Sequence, residues 1–163
     1  MKLLYILSLF FMTSIPNTLL AQEVSVYDKF DDFEKNIIKE NDTIYVINFW
    51  ATWCAPCIKE LPYLEKVHTD NKNVKVILVS IDSRKELETK LIPFLKKRKV
   101  TAEVLMLADK DYNLWLPKID VNWSGAIPAT LLINGKNRLF VEREFDSFAE
   151  LNDYINSFIN LNK

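Results

Sequence analysis

The chain has 163 residues, of which 49% are hydrophobic and 26% charged, the size and composition of one ordinary globular domain. A net charge of −1 excludes the broad basic face that nucleic-acid binding requires. With only two cysteines and one histidine, neither a disulfide-stapled scaffold nor a zinc site of four cysteine or histidine ligands can be assembled from one copy.

Met1 to Ala21 differs in kind from the rest. Lys2 is followed by an apolar run, Leu3 to Met12, then by Pro16, Asn17 and a candidate cleavage point after Ala21. The run is too short for a comfortable membrane span and has the three-part form of a secretory signal, although Leu19 is not the small residue expected two positions before the cut. Residues 1–21 are expected to be a signal peptide, or an N-terminal anchor if uncleaved, and residues 22–163 the folded domain. No cysteine follows the run, which excludes a bacterial lipoprotein signal. A protein so exported works in an oxidising compartment, the periplasm or cell envelope.

Tyr27 to Lys39 spaces Phe30, Phe33, Ile37 and Ile38 at helical intervals with acids opposite, predicting a helix that Asn41 and Asp42 end. Ile44 to Phe49 is β-branched and aromatic, and short enough for a fully buried strand. It runs into Trp50-Ala-Thr-Trp-Cys-Ala-Pro-Cys57 and then into the half-buried helical spacing of Ile58, Leu61, Leu64 and Val67, predicting a helix from Cys54 to about His68. Cys54 thus falls at a helix N-terminus, where unpaired backbone N–H groups and the positive end of the macrodipole favour a thiolate over a thiol. It is the expected nucleophile. Cys57 lies one turn along on the same face, within reach of a short disulfide ring. Pro56 is harmless in the first turn, whereas Pro62 removes the bond to the Ile58 carbonyl and is expected to kink the helix.

Val74 to Ile81 is a second apolar strand, parallel to the first through a right-handed crossover. Leu87 to Arg98 reads as a helix with Leu87, Leu91, Phe94 and Leu95 inward and Pro93 as a bend. The only dense basic run, Lys96 to Lys99, ends it, where cations complement the dipole. Glu103 to Leu107 is a short strand, Tyr112 to Leu116 a helical turn and Pro117 to Ser124 a loop. Ala129 to Ile133 is a strand that Asn134-Gly-Lys-Asn137 turns back on itself, with Leu139 to Arg143 returning antiparallel. Ser147 and Glu150 suit a capping box for a last helix that buries Phe148, Leu151, Tyr154, Ile155, Phe158 and Ile159. This order fits an α/β sandwich, a central mixed sheet flanked by helices.

A purely structural disulfide between positions three apart stabilises little, because the loop it closes in the unfolded chain is so short. A two-thiolate Cu(I) site stays open, since soft metals favour thiolates. Trp-Cys-x-Pro-Cys after a hydrophobic strand resembles the thioredoxin superfamily. The longer string Asn48-Phe-Trp-Ala-Thr-Trp-Cys-Ala-Pro-Cys57, followed by Lys59-Glu-Leu-Pro62, resembles its secreted TlpA/ResA-like branch, over roughly residues 40 to 160.

The resemblance implies a thioredoxin-like sandwich with the insert of that branch, here including Glu103 to Leu107, and a thiol–disulfide oxidoreductase acting mainly as a reductant. Cys54 attacks and Cys57 resolves. It also implies that the Ile127-Pro128 bond is cis and faces the disulfide, so that the backbone of Ile127 pairs with an incoming peptide. Where plain thioredoxin has a buried aspartate this chain has Asn48, which leaves Glu60 as the group assisting proton transfer at Cys57. Trp50 and Trp53 flank the motif, Trp123 is expected on the substrate side, and His68 on the surface. The expected catalytic residues are therefore Cys54, Cys57 and Glu60, and the substrate contacts Trp53, Ile127, Pro128 and Trp123, with no cofactor and no metal. Expected partners are disulfide-bearing proteins and an upstream thiol donor, a membrane electron-transfer protein being one kind, but no nucleic acid. A Cu(I) chaperone and an oxidant of protein thiols are the alternatives. Peroxide reduction on the same fold is disfavoured, because it uses a cysteine after a threonine-bearing loop instead of a Cys-x-x-Cys pair.

Overall fold

A computed structural model describes residues 23–37, 39, 41 and 43–161; the expected signal segment lies outside them, as do Ile38 and Asp42. Six strands, β1 (Ser25–Tyr27), β2 (Ile44–Trp50), β3 (Val74–Ser80), β4 (Glu103–Leu107), β5 (Ala129–Asn134) and β6 (Asn137–Val141), form one sheet in the order β1-β4-β3-β2-β5-β6. The first four in that order are parallel, and β5 and β6 run antiparallel to their neighbours. This is a thioredoxin-like α/β fold, a mixed sheet flanked by helices.

The two-residue period of the strands divides the core into two layers. Val46 and Trp50 of β2, with Val76 and Leu78 of β3, face α2 (Ala55–Asp70), α3 (Ile92–Arg98) and α5 (Phe148–Leu161), which contribute Leu61, Leu64, Leu95, Leu151 and Ile155. Tyr45, Ile47 and Phe49 face the other way, onto Phe30 and Phe33 of α1 (Phe30–Ile37) and Trp115 of α4 (Tyr112–Ile119). Asn48 shares the face of Val46 and Trp50, so a single polar side chain is turned toward α2 from the middle of an apolar strand. No helix among the described residues is long and apolar enough to cross a membrane.

Several boundaries differ from those read in the sequence. β1 was not expected: three residues are too few to show a period, and they become a strand by pairing in register with Leu105 to Leu107. With Tyr27 in that strand, α1 starts at Phe30. α4 continues through Pro117 to Ile119 because Trp115 and Ile119, four residues apart on one face, are both buried and hold the last turn. A 3-10 turn (Arg84–Glu86) and a π turn (Leu87–Leu91) precede α3, which puts Pro93 in the first turn of that helix, where its missing N–H matters least. α2 runs as one helix through Pro62. The β5–β6 hairpin is a two-residue one with Gly135 at φ +60°, so pairing begins at Asn137 and β6 ends at Val141, freeing Glu142 and Arg143 from the sheet. At α5 the Ser147 hydroxyl accepts from the Glu150 N–H, while the Glu150 carboxylate takes the N–H of Asp146 instead of that of Ser147.

Candidate active site

β2 is the central strand of the sheet, and at its C-terminal end the chain turns into α2. Cys54 is the N-cap of that helix, with extended backbone (φ −88°, ψ 101°), and its sulfur accepts the N–H of Cys57 at 3.3 Å. Cys54 and Cys57 form a disulfide with Cα atoms 5.3 Å apart. The two residues are not equivalent: Cys54 is 5% exposed and Cys57 is 0% exposed. Trp53, one residue before, is 62% exposed.

Opposite the disulfide lies the start of β5. The Ile127-Pro128 bond is cis, and the Ile127 carbonyl oxygen is 3.6 Å from the Cys54 sulfur. Ile127 is half-buried and Pro128 buried. The structure thus brings Cys54, Cys57, Ile127 and Pro128 together, with Trp53 on the rim.

Glu60 is one turn beyond Cys57 on α2 and buried. The register of β2 with β5 sets Thr130 directly across from Asn48, and the Asn48 amide donates both to Glu60 Oε1 (2.8 Å) and to Thr130 Oγ1 (3.0 Å). The other carboxylate oxygen accepts the Phe145 N–H at 3.1 Å. Burial raises the Glu60 pKa from an ordinary 4.5 to about 7, against the opposing pull of the Phe145 N–H and the Asn48 amide; nearby Glu144 raises it further and Arg143 lowers it. Such a carboxyl holds or releases a proton near neutral pH. Asn48 Oδ1, also buried, has no hydrogen-bond partner among the described residues.

Trp123, expected on the substrate side, is buried. It is 6% exposed, its ring packs on Phe49 (4.8 Å between centroids), Trp115 and Phe140, and its indole N–H donates inward to the Ala126 carbonyl at 2.9 Å. A residue in a loop between helix and strand looked solvent-facing in sequence; the apolar face of the sheet captures the ring instead. Trp50 is likewise core, 0% exposed and packed on Phe94. Among the described residues no three or more His, Cys, Asp or Glu side chains are grouped to hold a metal ion.

Two carboxylates that sequence reasoning missed tie down the loops on either side of the sulfurs. Asp82, just beyond β3 and 1% exposed, accepts the Thr52 N–H at 3.0 Å, the Thr52 hydroxyl at 2.6 Å and the Ser80 hydroxyl at 2.8 Å. Glu142 accepts from the Ser124 and Ala126 N–H groups. Acids at strand ends carry no distinguishing pattern; the one available signal was that Asp82 directly follows the apolar run Val74 to Ile81. Asp82→Ala leaves buried donors unpaired and is expected to destabilise the protein by roughly 3 kcal/mol, measured as a lower urea midpoint at unchanged slope.

Fold and site together define a protein of the thioredoxin-like class that carries a Cys-x-x-Cys disulfide at the start of the helix after its central strand. The chain belongs to the AhpC/TSA family, whose sequence pattern matches residues 21–140. It is similar to thioredoxin Y2 of the chloroplast of Arabidopsis thaliana, 29% identical over 119 residues, which are 72% of this chain and 62% of that protein. It is also similar to the thiol-disulfide oxidoreductase ResA of Halalkalibacterium halodurans, 30% identical over 112 residues, 64% of this chain and 60% of that protein. The chain thus spans about three fifths of the length of these two relatives. Among solved structures it resembles a secreted Mycobacterium tuberculosis disulfide oxidoreductase homologous to E. coli DsbE, with TM-score 0.56 and 22% identity over 72% of this chain and 84% of that one.

Proposed function

We propose that the protein is a thiol–disulfide oxidoreductase that mainly reduces disulfides of other exported proteins. The observation that carries this reading is the Cys54–Cys57 disulfide at the N-terminus of α2, with Cys54 the less buried residue of the pair, beside the Ile127 backbone. The ResA relative supports the reaction class, and the secreted mycobacterial structure and the signal-like residues 1–21 support export.

In the reduced protein the Cys54 thiolate, stabilised by the Cys57 N–H and the helix dipole, attacks one sulfur of a substrate disulfide. The substrate S–S bond breaks, one substrate thiolate leaves, and a mixed disulfide forms at Cys54. Cys57 then loses its proton, attacks the Cys54 sulfur and expels the second substrate thiolate, so that two electrons have passed to the substrate and the protein is left with its own disulfide. Glu60 is the proton acceptor for Cys57: it is one turn away and its pKa is near neutrality. Trp53 and the Ile127-Pro128 backbone form the surface that meets the substrate. An upstream dithiol donor, a membrane electron-transfer protein being one kind, reduces Cys54–Cys57 for the next cycle.

Turbidimetric insulin reduction beside a Cu(I) titration tests the reading. Catalysed precipitation of the insulin B chain that depends on both cysteines, with Cu(I) bound no tighter than by a free dithiol, is the expected result. Tight stoichiometric Cu(I) binding without reductase activity would assign the thiols to metal handling instead.

A further inference from the structure

The loop that reaches the disulfide is shaped by a side chain from another strand. Thr130 pairs with Val141, so Glu142, the first residue beyond β6, comes level with the start of β5 and reaches back over the residues before it. Three donors converge on its carboxylate: the Ser124 N–H on Oε2 at 2.9 Å, and the Ala126 N–H at 3.1 Å and the Ser124 hydroxyl on Oε1. From beneath, the Trp123 indole donates to the Ala126 carbonyl. Ala126 is thereby fixed at both its N–H and its C=O, and the next carbonyl, that of Ile127, is the one 3.6 Å from the Cys54 sulfur. Gly125 makes the turn between Ser124 and Ala126 at φ +93°, where an added Cβ would come within 3.3 Å of Leu116 Cδ1. Glu142 forms no ion pair among the described residues; its whole hydrogen-bonding capacity is turned on this loop.

We infer that Glu142 is a positioning residue for substrate recognition: its carboxylate holds Ser124 to Ile127 in the shape that lets the backbone of exposed Ala126 and half-buried Ile127 lie along a polypeptide whose disulfide is being attacked by Cys54. The inference rests on the oxidoreductase reading and deepens it by assigning a residue that favours disulfides carried on a polypeptide over small free disulfides. A small disulfide needs only the Cys54 sulfur. A polypeptide must also fit the loop, and a loop that wanders meets it in the wrong geometry most of the time. The three donors keep the carboxyl below the usual carboxylate range despite its partial burial, so the clamp is ionised at neutral pH.

The test compares the full-length wild type with Glu142→Ala and Glu142→Gln on two substrates, insulin and hydroxyethyl disulfide, and follows amide hydrogen exchange in residues 124–127. Glu142→Ala is expected to lower kcat/KM for insulin by roughly tenfold or more, mainly through KM, while hydroxyethyl disulfide stays within about twofold. Glu142→Gln should fall between, because its amide oxygen can still accept from the Ser124 hydroxyl and the Ala126 N–H while its NH2 opposes the Ser124 N–H. The Ser124 and Ala126 amides should exchange faster in Glu142→Ala, with exchange in the sheet unchanged. Equal losses on both substrates, unchanged insulin kinetics, or unaltered exchange at Ser124 and Ala126 would each overturn the role of Glu142. A wild-type protein that reduces neither substrate would instead bring down the oxidoreductase reading, and this inference with it.

Discussion

The Cys57→Ser protein, expressed with residues 1–21 intact, is expected to accumulate mixed disulfides with its natural partners, and the Cys54→Ser protein almost none. The reason is the position of Cys54 at the helix cap, together with the unequal exposure of the two residues, 5% for Cys54 against 0% for Cys57. Cys57→Ser keeps the nucleophile and removes the group that expels product, so the first covalent step becomes the last. Insulin reduction should fall by roughly a thousandfold or more in either variant, since the cysteines act as a unit. Alkylation on lysis followed by non-reducing gels distinguishes them. Adducts on Cys54→Ser but not on Cys57→Ser would reverse the assignment, and adducts on neither would contradict disulfide exchange.

Glu60 carries the second large effect. With the disulfide closed its pKa is raised from 4.5 to about 7, so the folded protein binds a proton there that the unfolded chain has already released. The protonated carboxyl therefore favours the fold fully below about pH 4.5, and that contribution, about 3 kcal/mol, is lost as pH rises through about 7. Glu60→Gln cannot ionise. Relative to wild type it should gain about 3 kcal/mol of stability between pH 4.5 and pH 8.5, whatever constant offset comes from setting an amide against the Phe145 N–H and the Asn48 amide. Urea denaturation of the oxidised forms across that range measures it, and a difference that is flat with pH would show that Glu60 ionises like an exposed acid. In turnover, the same substitution should slow release of substrate from Cys54 at neutral pH more than it slows the initial attack, and should abolish a break near pH 7 in the release step. Equal effects on both steps would remove Glu60 from proton transfer.

The parts of this molecule that were legible in sequence are those whose information is contiguous. β2, the Cys54–Cys57 pair and α2 follow one another without a gap, and each has a period or motif of its own. The residues around Pro128 were legible only through likeness to a family, because nothing local ties them to cysteines more than 70 positions earlier. The burial of Trp123 was not legible because an aromatic in a polar loop has no period from which to read its direction; packing against Phe49 and Trp115 decides it. Asp82 and Glu142 were missed for a related reason. They bind backbone N–H groups 30 and 18 positions away, and an amide proton looks the same whatever residue bears it. β1 became a strand only because β4 was there to receive it.

The three-residue separation of the cysteines has a further thermodynamic consequence. Oxidised and reduced, folded and unfolded are the four corners of a closed cycle, so any difference in folding stability between the two redox forms equals the difference in reduction potential between the folded couple and the same couple in the unfolded chain. Because so short a ring constrains the unfolded chain little, that difference reports chiefly on how well the folded site accommodates thiolate and thiol against disulfide. If the reduced form proves more stable by about 1.4 kcal/mol, the folded couple lies about 30 mV above the unfolded one and is the better oxidant; a more stable oxidised form marks the better reductant. Two denaturation curves, one for each redox form, therefore act as a potentiometer for the direction in which this protein moves electrons.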